Sequence, residues 1–448
     1  MERRTFLKIL SSAGIVSLVS PTFAMEVCKN KVSKSSSALL ESAFRNPPFS
    51  SGVYTWWHWM NGNITKDGIT RDLEAMKANG IAGYQLFEAG SGIPIGPVES
   101  LSDEWVDLIL HTLKESERLG LEFAMHNCPG WSSSGGPWIT PDKAMQIITW
   151  SETKITGGKQ VRIQLPTPKH MFDYYIDTYC LAIPANMKVI PRLSILELSN
   201  RLDKDGVLTW DVPTGEWLIM RFGQTAKDQK NKSAPSKSTG LDCDKFSTEA
   251  LDYHLNCMFK RLMPAMEKIA KHSKIGLLID SYETGDQDWT SDMPAYFEQS
   301  HGYELYPFLP VLANKIVESE ESTKRFLFDF RRVRADMFAE RYYGHFQKRC
   351  KEKGIITYTE PYGGNMMEEL QVAQQLDINM GEFWCGQTVL WANYKYNRTV
   401  KQVASIAHTL GGKVVGAEAF TSEPDADKWL QYCLLYTSPS PRDGATSR

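Results

Sequence analysis

The sequence predicts an α/β fold built as a (β/α)8-type TIM barrel, in which helices alternate with buried parallel strands. One pattern recurs along the chain: an amphipathic helix, a glycine or polar break, a short apolar run, and a glutamate where that run ends. The glutamates in these positions are Glu88, Glu283, Glu360, Glu382 and Glu418. Because all strands of a closed parallel barrel end on the same face, we expect these carboxylates to converge on one rim.

The early helices carry the start and stop signals that such units require. Thr65 and Ser102 are suited to cap the first two helices, and Gly80 and Gly120 follow them as C-terminal stops. Strands are expected near Val53, Ile81, Leu121, Ile275, Ile355, Asp377 and Val414. Since a closed barrel of this type has eight strands, we expect this one to be incomplete, with about seven strands present.

The same pattern divides the chain into segments. Residues 45–151 contain the first three βα units, and residues 241–432 contain the remaining barrel units. Between them, residues 152–240 hold short β-like runs separated by Pro, Gly and Asp. These runs predict a small β-rich insertion that forms one wall of the active-site mouth.

The two ends of the chain do not follow the barrel pattern. Residues 1–24 hold Arg3 and Arg4, an apolar stretch and a small residue at Ala24, which together predict a twin-arginine-like export signal. A transmembrane anchor is the alternative, but the apolar stretch is short and interrupted by serines. Residues 433–448 lack periodicity and are interpreted as foreign sequence or a disordered polar tail. We therefore expect a periplasmic or secreted protein with no stable membrane span after signal cleavage.

Composition narrows the range of partners and cofactors. The net charge is -3, and the 50 Lys and Arg residues are scattered along the chain, so no nucleic-acid partner is expected. The eight cysteines include no CxxC pair and do not cluster with histidines at zinc-site spacing. These patterns argue against a disulfide framework and against a structural zinc.

Three segments resemble a known family. The runs TWWHWMNGNITKDGITRDLEAMKANGI, AMHNCPGWSSSGGPWITPDKAM and LLIDSYETG resemble glycoside hydrolase family 106, the inverting α-L-rhamnosidases of bacteria. The resemblance extends from about Asn46 to Tyr432 and covers the catalytic barrel of that family. It implies an oligo- or polysaccharide substrate that bears terminal rhamnose, and it implies calcium as a cofactor.

Two of the strand-end carboxyls are assigned to proton transfer. Hydrolysis with inversion needs a carboxylic acid and a carboxylate about 6.5 to 9.5 Å apart. Glu283 follows the apolar LLID strand and matches the DSYE motif of the family, and it is predicted to be the general acid with a pKa raised by desolvation and neighbouring carboxylates. Glu418, at the end of the last strand, is predicted to be the general base. Asp280 is expected to orient Glu283 or to contact sugar hydroxyls.

The other carboxyls and several aromatic residues are assigned to binding. Glu360 and Glu382 are not needed for proton transfer, so we expect them to bind sugar hydroxyls or calcium, which prefers several oxygen ligands. Tryptophans near strand ends favour a sugar ligand, because apolar sugar faces pack on aromatic rings. The residues predicted to line the mouth are Trp131, Trp384, His126 and Asn127.

Two other function classes remain open at this point. A metal-dependent barrel lyase or isomerase would also gather carboxylates at strand ends, usually with a Lys or His base. No lysine ends any expected strand, which disfavours that class. A non-catalytic carbohydrate-binding fragment would keep the tryptophans but would not need two opposed carboxyls.

Overall fold

The structure is a computed structural model that describes residues 34–47, 51–132, 134–270, 274–384, 390–412 and 414–421. The export signal predicted for residues 1–24 and the tail predicted for residues 433–448 lie outside the described residues. Among the helices within these ranges, none is both long enough and apolar enough to cross a bilayer.

The described strands and helices follow each other in the alternating order that the sequence predicts. The strands are β1 (Val53–Met60), β2 (Ile81–Ala89), β3 (Glu122–His126), β4 (Gly135–Gly136), β5 (Gln146–Thr156), β6 (Lys159–Gln164), β7 (Ile176–Pro184), β8 (Val189–Ile190), β9 (Leu196–Glu197), β10 (Val207–Val212), β11 (Glu216–Ala226), β12 (Leu241–Asp242), β13 (Ile275–Ile279), β14 (Ile316–Val317), β15 (Ile356–Thr359), β16 (Ile378–Trp384) and β17 (Gly416–Thr421). The helices are α1 (Lys34–Arg45), α2 (Lys66–Ala78), α3 (Asp103–Leu119), α4 (Thr248–Phe259), α5 (Met263–Ile269), α6 (Met293–His301), α7 (Leu309–Leu312), α8 (Glu320–Met337), α9 (His345–Lys351), α10 (Glu369–Ala373) and α11 (Leu390–Leu410), with a π-helical segment (Phe338–Gly344) between α8 and α9.

Seven of these strands form one parallel sheet in the order β1-β2-β3-β13-β15-β16-β17. They correspond to the seven strands expected from the sequence, which confirms that part of the prediction. The sheet is strongly curled. Three strands separate β2 from β16 in the sheet, and yet Gln85 Nε2 on β2 lies 3.1 Å from Met380 Sδ on β16, which requires the sheet to curve back on itself. The described sheet is therefore an incomplete barrel that is open between β1 and β17.

The predicted helix boundaries at the first two βα units are confirmed. Thr65 accepts a hydrogen bond from the backbone N–H of Gly68 at the start of α2, and Ser102 accepts one from Trp105 at the start of α3. Gly120, with φ of 65°, ends α3 in the left-handed conformation that residues with a Cβ rarely adopt. These caps fix where β2 and β3 begin, and therefore which residues lie at the C-terminal ends of these strands.

Alternate residues of the parallel strands face opposite sides of the sheet. The concave interior contains one small apolar cluster, formed by Phe87, Ala124, Leu278, Tyr358 and Met380. The intervening residues, such as Tyr84 and Phe123, belong to the main core that packs under the helices. This alternation decides which strand-end side chains enter the interior.

The β-rich insertion forms a separate antiparallel sheet with the order β5-β11-β7-β9, beside a β6-β10 pair. A second apolar cluster fills it, including Leu165, Leu208 and Trp210. Its first strand begins at Gln146, ahead of the boundary predicted at residue 152. The reason is that β5 pairs with β11 along its whole length, from Gln146 opposite Ala226 to Thr156 opposite Glu216.

Candidate active site

The alternation along the strands directs four carboxyls to the concave side at the C-terminal end of the sheet. Asp280 continues the interior-facing series of β13 after Leu278, and Glu360 continues that of β15 after Tyr358. Glu382 follows Met380 on β16, and its register partner on β17 is Glu418. The sequence-based expectation of an acidic rim therefore holds for Glu360, Glu382 and Glu418. Asp280, which was expected to orient Glu283 or to contact sugar hydroxyls, joins them.

Glu88 does not join them, which corrects the expectation of five converging carboxylates. On β2 it lies on the same side as Tyr84 and therefore faces the helix layer, beside Ser100 and Trp105. Burial raises its pKa to about 7, and contact with these two side chains offsets part of that rise. Glu88 is thus a buried carboxyl between the sheet and the helix layer, on the side opposite to the other carboxyls.

Three of the interior carboxyls form a compact cluster. Glu360, Glu382 and Glu418 each offer one oxygen, and these atoms all lie within 4.8 Å of one another. Each has a neutral donor nearby: the Tyr362 hydroxyl lies 2.5 Å from Glu360 Oε2, and the Thr421 hydroxyl lies 2.5 Å from Glu418 Oε1. The indole N–H of Trp384, a residue predicted to face the ligand, donates to Glu382. We refer to Glu360, Glu382 and Glu418 as the carboxyl cluster.

Burial and mutual repulsion favour the protonated forms in this region. Desolvation, followed by the charge of Glu382, raises the pKa of Glu418 to about 8. Glu360 is fully buried, and desolvation together with the neighbouring Asp280 carboxyl raises its pKa well above the ordinary value. Asp280 lies against Glu360, and desolvation raises its pKa to about 7. Two carboxyls in contact in a buried site share a proton because they cannot both ionise at low cost.

Glu283 has different surroundings from those predicted for it. It lies in the loop after β13, with its side chain about a third exposed at 34%. Lys232 Nζ is 2.5 Å from Glu283 Oε2, and the indole N–H of Trp131 donates to the same oxygen over 3.3 Å. The expectation of a desolvated Glu283 is therefore wrong, because the residue lies beyond the strand end, in the open mouth and beside a cation.

The two predicted mouth residues on β3 and its following loop are buried. His126 lies with its Nε2 3.9 Å from Asp280 Oδ2 and its ring centroid 3.6 Å from that of Phe87, and desolvation lowers its pKa to about 3. Asn127 donates from its amide to the carbonyl of Leu278 and accepts from the hydroxyl of Ser134. His126 is therefore neutral beneath the acidic site, and Asn127 ties the following loop to β13.

The glycine- and serine-rich loop after β3 is packed backbone to backbone against the segment that returns from the insertion. A Cβ on Gly130 would lie 2.1 Å from the Lys232 carbonyl oxygen, so only glycine permits this approach. The Trp131 N–H donates to that carbonyl, and the Lys232 N–H donates to the Ser132 hydroxyl. The loop's composition thus serves to place Trp131 and Lys232 side by side.

Lys232 is the residue at the mouth that sequence reasoning missed. It follows a β-rich insertion and does not end a barrel strand, so the strand-end pattern gave no reason to select it. The available signal was a concentration of lysines in the returning segment, at Lys227, Lys230, Lys232 and Lys237.

Comparisons of the sequence and of the fold with known proteins identify the family of this chain. A profile described as alpha-L-rhamnosidase, glycoside hydrolase family 106, matches residues 45–178 and 169–435. A protein of Formosa agariphila named "Putative beta-glucuronidase" is 41% identical over an alignment 413 residues long, which covers 85% of this chain and 35% of that protein. The solved structure of a rhamnosidase from Novosphingobium sp. PP1Y matches with a TM-score of 0.76 at 24% identity, covering 86% of this chain and 53% of the other.

The chain therefore spans about a third of the length of the first relative and about half of the second. The likeness to the solved rhamnosidase covers most of this chain. Because the family profile likewise covers most of the sequence, the chain belongs to glycoside hydrolase family 106, the alpha-L-rhamnosidase family.

Proposed function

We propose that this protein hydrolyses terminal α-L-rhamnosyl linkages of oligo- or polysaccharides with inversion of configuration. Family membership supports the class of reaction. The observation that carries the proposal is the division of the carboxyls into two environments, an exposed Glu283 at the mouth and a buried carboxyl cluster across the concave face. An inverting glycosidase needs two such carboxyls, one on each side of the scissile bond.

In the proposed mechanism, Glu283 protonates the departing glycosidic oxygen and Glu418 accepts a proton from the attacking water. Glu283 suits the leaving-group side because it lies in the exposed mouth, where a bulky aglycone has room. Glu418 suits the water side because it lies on the last described strand, on the concave face beside Glu382. Proton transfer by positioned groups of this kind contributes about 10²- to 10⁴-fold in rate.

We also propose calcium as a cofactor held by Glu360 and Glu382, with Glu418 at the edge of the same site. The residues fit this ion: all ligands are carboxylate oxygens, and Glu360 Oε1 is buried without a hydrogen-bond partner. Oxygens that share one calcium ion at about 2.3 to 2.6 Å must lie within about 5.2 Å of one another, and the oxygens of the carboxyl cluster meet this condition because they all lie within 4.8 Å of one another. A bound dication would stabilise the ionised form of Glu418, which is the form that a general base needs.

Sugar contacts are proposed for the aromatic and polar groups around the mouth. Trp131 and Trp384 each donate an indole N–H to a carboxylate and leave ring surface beside it for an apolar sugar face. Asp280 and His126 form the floor beneath Glu283, where the buried Asp280 Oδ1 has no hydrogen-bond partner. Asn127, whose amide is engaged by the protein, acts on the sugar site through the loop that it fixes.

The test is hydrolysis of an aryl α-L-rhamnoside by the purified protein, followed by proton NMR of the first-formed sugar. The β anomer should appear first and then equilibrate. Initial release of the α anomer would refute inversion, and absence of any hydrolysis across an aryl rhamnoside panel would refute the proposed substrate.

A second candidate function is hydrolysis of β-glucuronides. It is suggested by the printed name of the 41% identical relative and by Lys232, a half-exposed cation at the mouth that could hold a uronate carboxylate. An aryl β-D-glucuronide in the same assay separates the two candidates, since the preferred substrate should have the higher kcat/KM.

The open sheet supports closure as a (β/α)8 barrel by an additional strand between β1 and β17, because an unpaired strand edge favours pairing with another strand.

Export to the periplasm or the exterior is also part of the proposal, and the signal-like residues 1–24 support it. Replacing both Arg3 and Arg4 by Lys should retain the protein inside cells, as measured by fractionation and immunoblotting. Unchanged export would argue against the twin-arginine route.

A further inference from the structure

Lys232 is a cation placed against one carboxyl of the acidic site. Its Nζ lies 2.5 Å from Glu283 Oε2, and the side chain is about half exposed. Among the residues whose side chains the structure describes, no other Lys or Arg forms an ion pair with Glu283 or Asp280. The cation therefore acts directly on the carboxyl at the mouth.

The backbone that carries Lys232 is fixed on both sides. The Lys232 N–H donates to Ser132, and its carbonyl accepts from Trp131. The preceding Asn231 is 2% exposed, and its amide donates to the carbonyls of Pro129 and Ser238. Because the segment is held at this point, the side chain begins from a set position beside Glu283 and loses less conformational freedom when it pairs.

Several charged groups surround Glu283, and their signs differ. Lys232 approaches from the segment that returns from the insertion, and Lys227 lies on the same segment, where it donates to the Asp286 carbonyl. The acidic groups are Asp280, which follows β13, and Glu418 on β17; desolvation raises the pKa of both, and the charge of Glu283 adds a smaller contribution. Trp131 contributes a neutral N–H. Without Lys232, the groups in closest charge interaction with Glu283 would be mainly acidic.

We propose that Lys232 is a positioning residue that sets the protonation state of Glu283 and holds its carboxyl, with Trp131, in one orientation. The inference rests on the proposed function for its kinetic consequence, although the contact between Lys232 and Glu283 does not depend on it. An adjacent ammonium favours the ionised carboxylate, so removing it favours the protonated form. The partial exposure of the pair limits the effect to about half a pH unit to one unit.

The kinetic test compares the pH profile of kcat/KM for the wild type with that of Lys232→Met. If Glu283 is the general acid, its ionisation causes the loss of activity at high pH. The alkaline limb of the Lys232→Met profile should therefore lie at a pH about half a unit to one unit higher than that of the wild type. Lys232→Arg keeps the charge and should restore the wild-type limb. Lys230→Met is the matched control, because Lys230 lies on the same segment but pairs with Asp228 at 3.8 Å.

A leaving group that needs little protonation separates the inference from the proposed function. With a 2,4-dinitrophenyl rhamnoside, the effect of Lys232→Met on the alkaline limb should vanish, because general-acid assistance is no longer required. A shift that persists with this substrate would uphold the link between Lys232 and Glu283 but overturn Glu283 as the acid. Superimposable profiles for Lys232→Met and wild type with the ordinary aryl substrate would overturn the inference.

A second measurement does not depend on turnover, so it tests the inference even if the purified protein is inactive. Carbodiimide coupling of carboxyls to glycinamide proceeds through the protonated acid, and peptide mass spectrometry reads the extent at Glu283. The reference is Lys232→Arg, because the Lys232 amine of the wild type lies 2.5 Å from Glu283 and would itself capture the activated carboxyl. Labelling of Glu283 in Lys232→Met should persist to a pH about half a unit to one unit above that of Lys232→Arg. Identical labelling curves for these two variants would overturn the inference, whether or not the protein hydrolyses rhamnosides.

Discussion

Glu88 and Glu360 occupy the same place in the sequence pattern but opposite sides of the sheet. Each follows an apolar run at the end of a parallel strand, and each is buried. Glu88 faces the helix layer beside Ser100 and Trp105, whereas Glu360 faces the interior and contributes to the carboxyl cluster. A buried strand-end glutamate is therefore part of the site only when the strand's alternation turns it inward.

The physical reason lies in the burial of both faces of a parallel sheet. Strands covered on both sides consist of nearly continuous apolar residues, so the sequence carries no alternation from which the facing of the last residue can be read. A shift of one residue changes the side to which a carboxyl points. The following predictions test the contrast between the outward Glu88 and the residues at the mouth and in the cluster.

Glu283→Gln should produce the largest change in activity. Loss of the proposed general acid should lower kcat on an aryl α-L-rhamnoside by about 10²- to 10⁴-fold, because glutamine cannot supply the proton. Steady-state kinetics at the wild-type pH optimum measure this. The matched control is Glu88→Gln, which should keep the wild-type kcat because its carboxyl lies outside the site. Equal losses in the two variants would contradict the distinction.

Glu88→Gln should instead change how stability depends on pH. The folded protein keeps the Glu88 proton up to about pH 7, whereas the unfolded chain releases it near the ordinary value of 4.5, so the carboxyl destabilises the fold increasingly as pH rises through this interval. The shift corresponds to about 3 kcal/mol above pH 7. Urea unfolding at pH 5 and pH 8 should show the variant gaining more stability relative to the wild type at pH 8 than at pH 5. A constant difference at both pH values would contradict the buried-acid interpretation.

Removal of calcium should destabilise the carboxyl cluster and leave the Glu88 side unaffected. At a free calcium concentration a hundredfold above its dissociation constant, binding would stabilise the fold by about 2.7 kcal/mol. Urea unfolding with calcium and with a chelator measures the difference. Glu360→Gln should abolish it, since the variant loses one ligand, while Glu88→Gln should retain it. Identical unfolding curves for the wild type in both buffers would refute the calcium proposal.

Trp131→Phe should have the smallest effect. The variant keeps an aromatic face but loses the N–H that donates to Glu283, a contact whose loss is worth about 1 kcal/mol, or about fivefold in kcat/KM. The control is Trp217→Phe, which loses a comparable N–H bond to the Pro213 carbonyl in the insertion and should leave kcat/KM unchanged. An effect on kcat/KM as large as that of Glu283→Gln would mean that Trp131 does more than orient the carboxyl.

Position along a strand was sufficient to predict which carboxyls meet. Glu360, Glu382 and Glu418 were expected at one end of a parallel sheet, and they lie there within 4.8 Å of one another, with Asp280 beside Glu360. The surroundings of Glu283 were not predictable in the same way. Its ion-pair partner Lys232 comes from a segment 51 residues earlier, and no local pattern links a returning loop to the strand end that it reaches.

The amino-acid sequence by itself determined the strand and helix order, the helix caps and the type of residue at each strand end. Apolar runs, capping residues and glycines act over a few neighbouring residues, so their effects are written locally. Only the tertiary structure decided that Glu88 faces outward, that Glu360, Glu382 and Glu418 meet within 4.8 Å, and that Lys232 pairs with Glu283. These outcomes depend on strand register, on the curl of the sheet and on loops packed from distant parts of the chain, and no short stretch of sequence contains that information.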